Sequence, residues 1–163
     1  MKKVVLDLKN QFKTAVLGKA LAHVLNSGMK LYLHGDLGSG KTTLVRALIQ
    51  ETGYKGAVKS PTYSLAEPYD IHVSNKTVKL LHCDLYRISN PDEFEEAGLL
   101  ENFDDETICL VEWAENAAFL LPEPDIRIRF YINGQGRKAI LEALTEAGSN
   151  SLKYLRFDPD AHI

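Results

Sequence analysis

The stretch Leu31-Tyr32-Leu33-His34-Gly35-Asp36-Leu37-Gly38-Ser39-Gly40-Lys41-Thr42-Thr43-Leu44-Val45 decides the fold. Leu31–Leu33 reads as a strand, a glycine-rich bend follows, and Thr42–Ile49 reads as a helix closed by Gly53. Between them, Gly35–Thr42 matches the pattern G-x-x-x-x-G-K-[ST] without departure. By average composition this pattern arises by chance in roughly one chain of this length in a few hundred. A strand leading in and a helix leading out complete the context the pattern requires, which outweighs a mere glycine-rich turn with an incidental Lys and Thr.

The spacing has a chemical reason. Gly35, Gly38 and Gly40 let the backbone curl until successive N–H groups point inward at an anion. The helix starting near Gly40 adds the positive end of its dipole. Lys41 places one ammonium against the β- and γ-phosphates, and the Thr42 hydroxyl is a hard oxygen ligand for Mg²⁺. Thr43 adds a hydroxyl toward the α-phosphate. The expected ligands are therefore ATP and Mg²⁺, held by Asp36, Leu37, Gly38, Ser39, Gly40, Lys41, Thr42 and Thr43.

Such a site needs an acid at the end of a neighbouring strand, to hold the metal or orient the attacking water. Two apolar runs end that way: Leu80-Leu81-His82-Cys83 delivers Asp84, and Ile108-Cys109-Leu110-Val111 delivers Glu112. The second is the more apolar, so it is expected beside the phosphate-loop strand, covered on both faces. Glu112 is assigned with Thr42 to the metal, and Asp84 stands beside it as a second metal-side acid or water-orienting group. Lys41, Asp84 and Glu112 are the expected catalytic set. Ser60-Pro61-Thr62-Tyr63-Ser64 lies where related enzymes keep a segment that senses the γ-phosphate, and Thr62 could offer its hydroxyl there. An ordinary proline loop is the other reading. Trp113, the only tryptophan, is expected at the site rim, with core packing as its alternative. His82-Cys83-Asp84 has no further His or Cys cluster to complete a zinc set.

The rest of the chain fits one domain, residues 1–163. Lys and Arg number 19 against 22 Asp and Glu, a net charge of −3, which argues against holding nucleic acid unaided. Cys83 and Cys109 each sit in an apolar run and read as buried thiols. The start, Met1-Lys2-Lys3-Val4-Val5-Leu6-Asp7, is too soon charged for a signal peptide, and no apolar run reaches the ~18 residues a membrane span needs. A cytoplasmic protein without membrane attachment is the expectation.

Val4–Leu6 suggests a strand, and residues 11–27 a helix with Gly28 at its end. Residues 63–73 and 77–83 read as strands around a turn at Ser74-Asn75-Lys76. Residues 91–97 read as a short helix capped by Asn90, with Pro91 at its first position. Ile126, Ile128, Phe130 and Ile132 form a strand that Asn133-Gly134-Gln135-Gly136 turns into a hairpin with residues 137–144. The tail after Gly148 carries no clear signal. The expected fold class is α/β: a P-loop NTPase-like single domain with a mixed, partly parallel β-sheet flanked by helices.

With these motifs assembled, the chain resembles the TsaE family, also called YjeE, over essentially its whole length. The resemblance rests on Gly35–Thr42, Ser60-Pro61-Thr62-Tyr63, His82-Cys83-Asp84-Leu85-Tyr86-Arg87 and Val111-Glu112-Trp113-Ala114-Glu115. The H-x-D-L-Y-R and V-E-W pieces make it specific. Ala114 departs from the family's usual proline, which touches the exit from the strand rather than the chemistry at Glu112. The resemblance implies a small bacterial ATPase required for threonylcarbamoyladenosine in tRNA, acting with TsaD and TsaB and meeting tRNA only through that complex.

Three other readings stand beside it. A small-metabolite kinase with a P-loop would need a lid of arginines, and the six arginines (46, 87, 127, 129, 137 and 156) form no such cluster in sequence. None is clearly placed as a finger either, so a stimulating arginine is expected from a partner. A GTPase would need N-K-x-D, and Asn75-Lys76-Thr77-Val78 lacks the Asp. A nucleotide-sensing module with negligible turnover is the non-enzyme reading. The adenine pocket is sought near Thr14 or in the C-terminal segment.

Overall fold

The structure, a computed structural model, describes residues 2–158. Its elements are β1 (Lys3–Leu8), α1 (Gln11–Ala22), β2 (Lys30–His34), α2 (Lys41–Glu51), β3 (Ala66–Val73), β4 (Lys76–Asp84), α3 (Asp92–Glu96), β5 (Ile108–Glu112), β6 (Ile126–Asn133), β7 (Gly136–Ala143) and α4 (Glu146–Tyr154). One-turn 3-10 helices lie at Leu100–Asn102 and Ala114–Ala117.

The strands form one sheet in the order β1-β7-β6-β2-β5-β4-β3. β6, β2, β5 and β4 run parallel, while β3, β7 and β1 pair antiparallel at the edges. This is the mixed, partly parallel sheet expected from the sequence. β5 lies directly beside β2, as its apolar run implied.

Alternation along the central strands feeds two cores. Leu31 and Leu33 of β2 and Ile108 and Leu110 of β5 face α1 and α2. Tyr32, Cys109 and Val111 face the other way, where Phe94 of α3 covers them. Both cysteines are buried and unpaired. Burial pushes the Cys109 thiol up to about 12 and the Cys83 thiol higher still.

Where α1 crosses α2, Gly18 is the contact: a Cβ there would lie 2.4 Å from the Leu44 carbonyl oxygen. Asn10 starts α1, its side chain accepting from the Lys13 N–H at 3.1 Å. The helix ends at Ala22, short of the expected 27, with His23 as its C-cap. Gly28 is therefore not the helix cap. At φ +82° it lets the chain approach the Asp105 carbonyl, 2.1 Å from where a Cβ would sit. Beside it the buried Lys30 ammonium donates to the carbonyls of Gly28, Asp104 and Thr107 at 2.6–2.7 Å. These bonds tie the start of β2 to the loop before β5.

β3 begins at Ala66 rather than 63, because Leu65 takes a left-handed backbone at φ 66°. Ser74 and Asn75, both at positive φ, close the β3–β4 hairpin, and Val73 pairs with Lys76. The Asn133–Gly136 hairpin forms as expected. Asn90 accepts from the Asp92 N–H at 2.9 Å, and Pro91 stands just ahead of α3 instead of at its first position. The tail, silent in the sequence, forms α4. Thr145 caps it and Gly148 lets it lie against the Asp125 carbonyl, 2.0 Å from where a Cβ would be. Among the described residues no helix is long and apolar enough to cross a membrane.

Candidate active site

The parallel register delivers the chemistry to one edge. β2, β5 and β4 end side by side at His34, Glu112 and Asp84, where open α/β sheets bind ligands. Asp84 and Glu112 are direct cross-strand partners. A cleft of about 640 Å³ opens above them, reaching from the start of α1 to the β6–β7 hairpin.

Gly35 (φ 151°), Gly38 (φ 76°) and Gly40 (φ 112°) give the loop between β2 and α2 its curl. At Gly35 a Cβ would also meet the Ser39 hydroxyl oxygen at 2.6 Å. Ser39 N–H donates to the Asp36 carbonyl at 3.1 Å. The Ser39 hydroxyl is itself buried without a hydrogen-bond partner. Lys41 is buried at the helix start, and its ammonium donates to the Gly35 carbonyl while lying 3.9 Å from the centre of the Trp113 ring. Burial lowers the Lys41 pKa; Glu112, Glu115, Asp84 and Asp36 oppose that. An anion entering the loop would supply the charge partner this half-desolvated ammonium wants.

The Thr42 hydroxyl donates to Glu112 Oε1 at 3.2 Å. Glu112 Oε2 in turn meets His82 Nε2 at 2.6 Å, both side chains being buried. Asp84 accepts the Tyr86 N–H at 3.0 Å. Burial raises the Asp84 pKa and Glu112 adds to the rise; the Tyr86 N–H, His82 and Lys41 oppose it. Thr42, Glu112 and Asp84 thus form a hard oxygen set of the kind Mg²⁺ prefers. The residues present fit a metal-bound nucleoside phosphate.

Of the sequence-derived candidates, Leu37, Gly38, Ser39, Gly40, Lys41, Thr42, Thr43, Thr62, Asp84 and Glu112 all line the cleft. Asp36 lies outside that lining, its carbonyl accepting the Ser39 N–H. Thr62 Oγ1 shares a 2.7 Å hydrogen bond with Ser60 Oγ at the cleft wall. Trp113 lies at the rim and also packs against the second core cluster; its backbone is left-handed (φ 59°) and its ring meets Tyr86 at 5.0 Å with a 47° tilt.

Two arginines went unforeseen. Arg137 of β7 donates to the Gly38 carbonyl at 2.9 Å, and Arg87 lies 4.8 Å over the Tyr63 ring; both line the cleft. The sequence placed neither of them at the site; the fold brings both to the cleft wall. The β6–β7 hairpin brings Arg137 there, while Arg87 follows Asp84 by three residues out of β4 and closes the His82–Arg87 motif. Asn10, Gln11 and Thr14, near which one of the two adenine locations was sought, line the far end of the cleft.

The family model described as "Threonylcarbamoyl adenosine biosynthesis protein TsaE" matches residues 8–140. A tRNA threonylcarbamoyladenosine biosynthesis protein TsaE from Haemophilus influenzae is 39% identical over 148 residues, covering 88% of this chain and 91% of its own. The Bacillus subtilis protein of that name is 35% identical over 128 residues, 78% of this chain and 77% of its own. The crystal structure of Bacillus subtilis YdiB superposes with a TM-score of 0.76 at 26% identity, covering 94% of both chains. The matched span takes in most of the chain, including the residues of the phosphate loop, Asp84, Glu112 and Arg137: the chain belongs to the TsaE family.

Proposed function

We propose that this protein is an Mg²⁺-dependent ATPase that serves threonylcarbamoyladenosine modification of tRNA in a complex with TsaD and TsaB. The observation that carries the reading is the convergence of Lys41, Thr42, Asp84 and Glu112 on one cleft around a complete phosphate loop. The names of the relatives supply the pathway.

The loop N–H groups and Lys41 bind the phosphates and offset their charge. Thr42, Glu112 and Asp84 are the residues that would hold Mg²⁺, which when bound draws charge from the phosphate oxygens. Asp84 is less deeply enclosed than Glu112 and is positioned to orient an attacking water. Arg137 steadies the loop through Gly38, and Arg87 stands at the wall with the Ser60–Ser64 segment. With a net charge of −3, the chain meets tRNA through its partners rather than alone.

The test is nucleotide titration with and without Mg²⁺, followed by phosphate release. Tight, Mg²⁺-dependent ATP binding with measurable turnover is expected. Binding with no turnover, alone or with partners, would leave a nucleotide-sensing module. Absence of binding would overturn the reading.

A further inference from the structure

Glu112 is held from two sides. Its Oε1 accepts from the Thr42 hydroxyl at 3.2 Å, and its Oε2 lies 2.6 Å from His82 Nε2. His82 sits on β4 two residues before Asp84, on the same face, and diagonal to Glu112 across the β4–β5 pairing. Its side chain is 1% exposed and that of Glu112 3%. The other ring nitrogen, Nδ1, is buried and has no hydrogen-bond partner. A core histidine kept only for packing would be expected to satisfy that nitrogen or be replaced by an apolar side chain. Here the single polar bond of the imidazole goes to the acid assigned to the metal.

We propose that His82 is a positioning residue for Glu112 and sets the metal affinity of the site; this rests on the Mg²⁺–nucleotide reading above. The terminal torsion of a glutamate is broad and nearly two-fold, so a free carboxylate would sample many planes. Both oxygens of Glu112 act as acceptors, and His82 carries its proton on Nε2, donating it to Oε2. A short charge-assisted bond to one oxygen fixes the plane and leaves the other facing Thr42. Partners of this kind behind a metal ligand typically contribute about 10–100-fold in metal affinity or activity. Asp84 is held separately, by the Tyr86 N–H, so the effect should fall on Glu112.

The test reads the Mg²⁺ concentration that half-restores tight ADP binding, together with ADP affinity in EDTA. His82→Gln keeps an N–H donor near the position of Nε2, whereas His82→Asn and His82→Leu do not. The proposal expects about a 10–100-fold higher Mg²⁺ midpoint for His82→Asn and His82→Leu. It expects near-wild-type behaviour for His82→Gln and unchanged ADP affinity in EDTA for all three. In a Glu112→Gln background, His82→Asn should add no further shift in the midpoint. An unchanged midpoint in His82→Asn overturns the proposal, as does equal loss in His82→Asn and His82→Gln with intact binding in EDTA. Should His82→Leu fail to fold, the Asn and Gln pair decides. A wild-type chain whose ADP affinity ignores Mg²⁺ would instead overturn the underlying reading of the site.

Discussion

The Lys41 ammonium lies 3.9 Å from the centre of the Trp113 ring, with its hydrogen bond turned back to the Gly35 carbonyl. The cation that should meet phosphate thus rests on the only tryptophan in the chain. Two outcomes follow for Lys41→Ala. Charge-assisted bonds to an anion are worth about 1.5–3 kcal/mol, so ATP affinity should fall about ten- to a hundredfold. ATP should also change Trp113 emission in the wild type by drawing Lys41 off the ring, and the change should be smaller in the variant. Titration followed by fluorescence and calorimetry reads both. Unaltered ATP affinity in folded Lys41→Ala would remove the loop from the account.

Asp84 and Glu112 should separate binding from turnover. Glu112→Gln and Asp84→Asn leave the loop N–H groups in place, so ATP binding should be spared more than hydrolysis. A single-turnover measurement on ATP-saturated protein tests this. Wild-type hydrolysis in either variant would make that residue a bystander.

Asp84 also carries a pH signature. Burial raises its carboxyl pKa above the usual 3.8. A carboxyl raised on folding favours the native chain at low pH, and that advantage is lost as pH rises from 3.8 through the folded value. At pH 7 the ionised Asp84 is therefore a cost that asparagine removes. Asp84→Asn should raise Tm at pH 7, and the gap should narrow toward pH 4. Thermal unfolding at both pH values checks this; a lower Tm at pH 7 would contradict it.

Much of this site was legible because its chemistry is contiguous or punctuated. Gly35–Thr42 is a single run, and Asp84 and Glu112 each end an apolar strand, so both acids could be named before their register was seen. Arg137 and His82 carry no such signal, since each reaches the site only through strand pairing, and Arg87 follows Asp84 in sequence but gains its place from the path of the loop after β4. α4 was missed because its Gly148, Ser149 and Asn150 are poor helix formers, and packing against β7 and the Asp125 carbonyl overrides that preference. The end of α1 was misplaced because Val24 and Leu25 continue the apolar stripe after the helical hydrogen bonds stop.

The α1–α2 crossing gives a prediction independent of ligands. A methyl at Gly18 would stand 2.4 Å from the Leu44 carbonyl oxygen and 3.1 Å from Ala47 Cβ. Both are fixed by helix packing, so Gly18→Ala should destabilise by about 1–3 kcal/mol. At about 2–4 °C per kcal/mol, that is a fall in Tm well outside error. Denaturant unfolding gives the same quantity; a neutral result would place the crossing wrongly.

Arg137 tests the loop from outside. It links β7 to the Gly38 carbonyl at 2.9 Å. Removing one charged hydrogen-bond donor costs about 1.5–3 kcal/mol at most, and this one is partly exposed. Arg137→Ala should therefore weaken ATP binding severalfold, less than Lys41→Ala. An effect equal to that of Lys41→Ala would mean Arg137 contacts the phosphates itself.

The central claim is that this cleft hydrolyses ATP and that partners govern the rate. Thr62, hydrogen-bonded to Ser60 at the cleft wall, sits on the segment best placed to couple nucleotide state to a partner surface. The most direct measurement is steady-state phosphate release by the chain alone and after addition of TsaD and TsaB, repeated with Thr62→Ala. Slow release alone, a clear rise with both partners, and a blunted rise in Thr62→Ala are the expected results. Fast release by the chain alone, indifferent to the partners, would contradict the claim.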